Sequence, residues 1–398
     1  MTALTDVLLT DDLLRGAVEV ERTDRGLLPW RLPRWAREQV GDPQLSFSAS
    51  QPSGVRLVLR TAATTLELDT VPTKREYVGA PPRPDGTYDV LVDGEPAARG
   101  HVGGGDVVRI DMTRGTHETV AGPAGTLRLD GLPAGDKTVE VWLPHDETTV
   151  LVGLRADAPV APAPAEGRRT WVHHGSSISQ GSNAATPTGT WPSVAARAAG
   201  VELVNLGFGG GALLDPATAR TLRGLAADLG PDDVLSVALG INVVNADLLR
   251  RRAFAPAVHG FLDTVREGNP TVPLLVVTPV LCPLHEDTPG PLGPDLEAMA
   301  AGRIAWVATG DPAEVARGAL TLRVVRDELA RVVAQRRATD PHLRLVDGLT
   351  LYGEADAERH PLPDGVHPGP ETHAEMGARF AEHLRRRPEP VDEGPSGG

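Results

Sequence analysis

The sequence predicts a two-domain chain: an all-β sandwich of jelly-roll type, followed by a three-layer α/β domain on a parallel sheet. Three observations carry that expectation. Short runs of alternating apolar and polar residues succeed one another from about residue 45 to 157. Repeated strand–helix units replace them from 170 onward. A Pro/Ala-rich stretch separates the two textures. A chain of 398 residues also exceeds one average domain, so two domains is the natural prior.

In the first texture the runs are "VRLVLRT", "TTLELDT", "YDVLVDG", "DVVRIDM", "TLRLDGL", "KTVEVWLP" and "TTVLVGLRA". Each is followed by Gly, Pro or Asp turns, and no helical pattern of useful length interrupts them, which places a sandwich over residues 1–158. Trp142, in "VEVWLPHDE", is expected in the sandwich core. Residues 159–169, within "DAPVAPAPAEGRR", read as a stiff linker.

The second domain is expected over 170–388. "TWVHHG" is its first strand and "WPSVAARAAG" the helix after it. "VELVNLG", "DVLSVALG", "VPLLVVTPV" and "HLRLVDG" supply the remaining strands, with a helix through "FAPAVHGFLDTVREG". Leu322, Val325, Leu329 and Val332 form a helical stripe, as do Met376, Phe380 and Leu384 in the last helix. Repeated βα units of this size give a mostly parallel sheet with helices on both faces. The tail 389–398 is expected to be disordered.

Composition excludes several function classes. The net charge of −14 argues against a nucleic-acid or anionic-membrane partner, either of which needs a basic footprint. No window approaches the ~18 uncharged apolar residues of a membrane span. The start "MTALTDVLLTDDLLRG" is acidic where a secretion signal is basic and then apolar, so a cytoplasmic location is expected. Cys282 is the single cysteine, which leaves no intramolecular disulfide and no cysteine-based zinc site.

In a parallel α/β sheet, ligands sit outside the carboxyl ends of the strands. The residues there are Gly175-Ser176-Ser177-Ile178-Ser179, then Gly207-Phe208-Gly209-Gly210-Gly211, then Gly240-Ile241-Asn242, and finally Asp364-Gly365-Val366-His367-Pro368. A hydroxyl, a loop of backbone amides, a side-chain amide and a carboxylate–imidazole pair are the parts needed for acyl transfer. Each alone has a plainer reading. A serine past a strand caps a helix, a glycine run is a turn, and Asp364 with His367 make a surface pair. "GFGGGALLDP" lacks both the GxGxxG spacing and the Lys–Ser/Thr end of a phosphate loop. The G-x-S-x-G elbow also fails, because position 179 is Ser.

The four blocks together resemble the SGNH (GDSL-type) hydrolase superfamily over about residues 170–387. Its Gly-Asp-Ser-aliphatic block is similar to Gly175-Ser176-Ser177-Ile178, its oxyanion glycine to Gly210, its Gly-x-Asn to 240–242, and its Asp-x-x-His to Asp364 and His367. Two positions depart from the pattern. Ser176 stands where Asp is common, and Gly209 where a serine often precedes the oxyanion glycine, which leaves Gly209, Gly210 and Gly211 all open. The resemblance implies a flavodoxin-like three-layer fold with Ser177 as nucleophile, His367 as general base and Asp364 as its orienter. It also implies an oxyanion hole from the Ser177 and Gly210 amides with the Asn242 side chain. Ser179 is then left to cap the helix.

No cofactor and no metal are expected, since His360, His367 and His373 match no zinc spacing. Of His173 and His174, one is expected against a packed layer and the other nearer the site. His285 and Glu286 are expected on a solvated loop. The layout resembles two-domain carbohydrate esterases with an N-terminal jelly roll, which implies a small-molecule ester as partner, an acylated sugar among the candidates. An O-acyltransferase using the same site, or a non-catalytic carbohydrate-binding protein, are the alternatives. Oligomeric state is not legible.

Overall fold

The computed structural model describes residues 3–78, 84–111, 114–164 and 167–386. All seven expected runs of the first region are strands, divided between two sheets. One contains, in spatial order, Thr116–Val120, Asp106–Asp111, Thr65–Tyr77, Thr148–Ala156, Gly26–Trp30 and Glu19–Thr23, and Gly125–Asp130 also pairs with Thr65–Tyr77. The other runs Val160–Pro162, Arg56–Thr61, Lys137–Trp142, Thr87–Val92 and Glu95–His101. Alternation puts Leu57, Leu59, Leu66, Leu68, Val90, Val139, Leu151 and Leu154 into one apolar core. Trp142 is buried, with its Nε1–H donated to Glu140 and the Arg56 guanidinium over its ring.

Besides the strands Glu19–Thr23, Gly26–Trp30, Glu95–His101 and Thr116–Val120, which no run in the sequence announced, three features differ from the sequence expectation. Two helices, Arg34–Val40 and Pro43–Ser50, sit where no helix was read. Their local cause is clear: Gly41 takes φ +64 to end the first, and Asp42 accepts the Gln44 and Leu45 N–H groups to start the second, with Pro43 fixed for a first turn. Both are too short to show a helical period. Secondly, Leu32, Ala36, Leu45 and Ala49 pack into the core of the second domain. Thirdly, the expected linker begins as strand Val160–Pro162, antiparallel to Arg56–Thr61. The tail expected to be disordered lies outside the described residues.

The second domain is built on five parallel strands: β1 (Thr170–Gly175), β2 (Glu202–Gly207), β3 (Val234–Ala238), β4 (Leu274–Val277) and β5 (Leu343–Val346). Their spatial order is β2-β1-β3-β4-β5. Strand direction of travel reverses at β1, and such a switch point opens a crevice at the carboxyl ends of the strands. Helices Trp191–Ala199 and Pro370–Arg385 pack on each other in one layer, joined through Trp171, Trp191 and Phe380. Helices Pro216–Ala227, Arg251–Arg266 and Leu322–Arg336 form the other. Both predicted stripes, Leu322/Val325/Leu329/Val332 and Met376/Phe380/Leu384, are buried. Among the described residues no helix is long and apolar enough to cross a membrane.

Candidate active site

β1 ends in Gly175, where a Cβ would lie 2.3 Å from Ser179 Oγ, so only glycine lets the chain turn directly into the helix Ser177–Gln180. Ser176 caps that helix, its Oγ accepting the Ile178 N–H at 3.3 Å. This corrects the expectation that Ser179 is the cap. Ser179 Oγ instead lies 2.8 Å from His173 Nε2, and His173 Nδ1 lies 2.7 Å from Ser236 Oγ, all of it buried. Capping by Ser176 leaves Ser177 in the first turn with its hydroxyl free for another partner.

That partner is His367. Ser177 Oγ lies 2.8 Å from His367 Nε2, and His367 Nδ1 lies 2.7 Å from Asp364 Oδ2. The other Asp364 oxygen accepts the backbone N–H groups of His367 (2.7 Å) and Val366 (3.0 Å), an Asx-type turn that locks the carboxylate plane. Burial by itself raises the Asp364 carboxyl. The hydrogen bond to and charge of His367, with the two N–H groups, outweigh burial and hold it at about 2. Asp364 is therefore an anion at any working pH, and it fixes the proton of the imidazole on Nδ1, leaving Nε2 as the acceptor toward Ser177. The loop carrying this pair is held from the segment after β4: Trp306 N–H donates to Asp364 O at 3.2 Å, and Cys282 Sγ to Gly365 O at 3.5 Å.

The glycine loop after β2 resolves its own ambiguity. Gly209 N–H is donated to Gln180 Oε1 (2.7 Å) and Gly211 N–H to Phe208 O (3.0 Å). Gly210, at φ +73, is the one whose N–H has no partner among the described residues. Asn242 is buried and its Oδ1 accepts the Ala212 N–H at 3.1 Å, which fixes the amide orientation and leaves Nδ2 without a partner among the described residues. Among the described residues the Gly210 backbone amide and Asn242 Nδ2 are therefore donors without a partner.

Other expected residues lie elsewhere. His173 and His174 are both fully buried beneath the site. Neither hydrogen-bonds Ser177 or His367, and His174 is packed against Phe208 and Phe261 with its Nδ1–H donated to Leu206 O. His285 is buried, its Nδ1–H donated to Thr288 O, and Glu286 pairs with Arg326, so this loop is anchored and not solvated. His373 accepts the Trp191 N–H at Nδ1 and donates from Nε2 to Ser182 O, which commits both ring nitrogens. Among the described residues no cluster of three or more His, Cys, Asp or Glu could hold a metal.

Sequence reading missed the contribution of residues 31–53. Gln44 Nε2 and Ser48 Oγ each donate to Gly209 O at 2.9 Å. Gln51 accepts from Gln180, and Ser53 bonds the Gln180 carbonyl and the Asn205 amide. Arg31 is fully buried and spans Gln51 O, Ser48 O, Asn205 O and Gly207 O. The Asp42-Pro43 pair was the available signal, as a helix start before Gln44.

A serine at the end of the first strand of a parallel α/β sheet, in line with an imidazole and a locked carboxylate, defines a serine esterase. The chain belongs to the GDSL-like lipase/acylhydrolase family, whose model matches residues 174–375, just over half its length. Residues 13–152 match a second model, described as the SsfX3 N-terminal domain. Among solved structures, the salicylyl-acyltransferase SsfX3 from a tetracycline biosynthetic pathway is 28% identical over 95% of both chains, with a TM-score of 0.74. A putative GDSL-like lipase from Bacteroides ovatus is 17% identical over 96% of this chain and 97% of its own, TM-score 0.66. A family-two carbohydrate esterase from Cellvibrio japonicus is 14% identical over 97% and 98%, TM-score 0.55. The last two are likenesses of fold. No curated protein matches the chain.

Proposed function

We propose that the chain hydrolyses small O-acyl esters, acetyl esters foremost, of a carbohydrate or secondary metabolite through an acyl-enzyme on Ser177. The observation that carries this is the unbroken line from Ser177 Oγ through His367 to Asp364, at 2.8 and 2.7 Å. Ser177 Oγ attacks the ester carbonyl as its proton passes to His367 Nε2. The resulting oxyanion is met by the Ser177 and Gly210 N–H groups and Asn242 Nδ2. Collapse breaks the ester C–O bond and His367 returns the proton to the departing alcohol. Water then attacks the acyl-serine with His367 again accepting a proton, which releases the acid and restores the Ser177 hydroxyl.

A second reading, transfer of the acyl group to an acceptor alcohol, is supported by the similarity over both domains to a salicylyl-acyltransferase. Both readings share the acyl-enzyme and differ only in what discharges it. Turnover of a chromogenic acetate ester, with and without acceptor alcohols, separates them by product. A fluorophosphonate probe should modify Ser177, located by mass spectrometry, and Ser177→Ala should abolish both labelling and turnover. Labelling at Ser176 would overturn the assignment of the nucleophile, and no adduct at all would remove the proposal and revive a non-catalytic binding role.

A further inference from the structure

The one peptide group between Gly209 and Gly210 carries two facts that belong together. Its carbonyl oxygen accepts from Gln44 Nε2 and Ser48 Oγ, both at 2.9 Å, and its N–H is the unpartnered Gly210 amide. In a trans peptide the C=O and N–H point in opposite directions. Holding the oxygen toward the helix Pro43–Ser50 therefore aims the Gly210 N–H away from it. Gln44 and Ser48 stand one helical turn apart on the same face, start with the Asp42 cap, and bond each other at 3.4 Å. Ser48 is 1% exposed, so its bond to the carbonyl is sheltered from water. With both neighbouring residues glycine, and Gly210 at φ +73, little in the loop itself opposes a peptide flip. A flip would turn the Gly209 oxygen toward the serine and remove a donor.

We infer that Gln44 and Ser48 are positioning residues for the oxyanion hole, so that the N-terminal region sets the catalytic geometry of the second domain. The inference rests on the esterase reading above. Neither side chain touches the reacting atoms, and each acts through the 209–210 peptide. The test compares Ser48→Ala, Gln44→Met and the double variant by acetate-ester kinetics, thermal melting and inhibition by a small boronic acid, which forms a tetrahedral adduct on the serine. The double variant should lose about 10- to 100-fold in kcat with KM within about twofold, as expected when a donor is misplaced by about an ångström. Boronate affinity should fall by a matching factor. Gln44→Met, at an exposed position, should show a smaller loss of the same kind with an unchanged melting temperature, which keeps the test valid if the double variant does not fold. Variants that melt as the parent does yet keep kcat and boronate affinity within about threefold would overturn the inference. Turnover surviving in Ser177→Ala would instead overturn the esterase reading.

Discussion

At the residue scale, the two adjacent serines divide one job between them. Ser176 spends its hydroxyl on the Ile178 N–H, and Ser177 faces His367. Ser176→Ala should therefore keep most turnover and lose about 1 kcal/mol of stability as a lost cap, read from urea unfolding. On the proposed mechanism Asn242→Ala should lower kcat by ~10²–10³, because it deletes one oxyanion donor while leaving the nucleophile intact. Asp364→Asn should do more, about 10⁴, since an amide donor facing Nδ1 forces the tautomer in which Nε2 carries the hydrogen and cannot take the serine's. A ranking in which Asn242→Ala is the more damaging of the two would contradict these roles. The Ser177–His367–Asp364 line joins two blocks that the sequence singled out, one at a strand end and the Asp364 block well beyond the last strand, with their roles supplied by the family resemblance. The exchange of Ser176 for Ser179 as cap was not legible, because either hydroxyl can cap and only the position of His173 decides.

At the scale of elements, β1 carries two histidines where strands of this kind are apolar, and helix Pro370–Arg385 carries two more, of which His373 is fully buried. Burial lowers His174 and His373 to about 4 and His173 well below its ordinary value of 6.5. The unfolded chain therefore binds protons that the folded chain refuses, and stability rises with pH across that window and is lost on acidification from about 6.5 toward 4. Glu147 opposes this. Burial foremost, then the charge of Asp146, raises it to about 7, so the folded state holds the extra proton and stability falls as pH rises from about 4.5 to 7. Burial also lowers His285 and His383 and raises Asp215, so five histidines act against two carboxyls, and the urea midpoint should fall on acidification below about 6. Glu147→Gln should steepen that fall and raise stability at pH 8, where the wild-type carboxylate is buried as a charge. An acid-independent midpoint would refute the buried neutral histidines.

For the whole molecule, the two textures of the sequence do not correspond to two independent packing units. Leu32, Ala36, Leu45 and Ala49 complete the core of the second domain, and Arg31 joins the end of helix Pro43–Ser50 to the carboxyl end of β2. Burial pulls Arg31 down to about 9, so it remains a cation at neutral pH, and carbonyl dipoles from both regions solvate it. Arg31→Leu would leave those buried acceptors unmet and should cost more than about 3 kcal/mol by urea unfolding. A fragment starting at residue 170 should lack cooperative unfolding for the same reason, whereas the full chain should melt with the two regions coupled. Independent two-step melting of the full chain would show that the junction is weaker than its bonds imply.

Sequence by itself determined seven strands of the β-rich region, the five of the parallel sheet, the division between the two regions and the four blocks, because alternation, helical period and turn residues are local properties. Tertiary structure alone decided which of three glycines offers a free amide, which serine caps, and that residues 31–53 belong against the second domain. The reason is physical: a peptide group's orientation depends on which donors reach it, and Ser48 reaches Gly209 across 161 positions of chain. No periodicity in either segment encodes that meeting, on which the proposed oxyanion geometry depends.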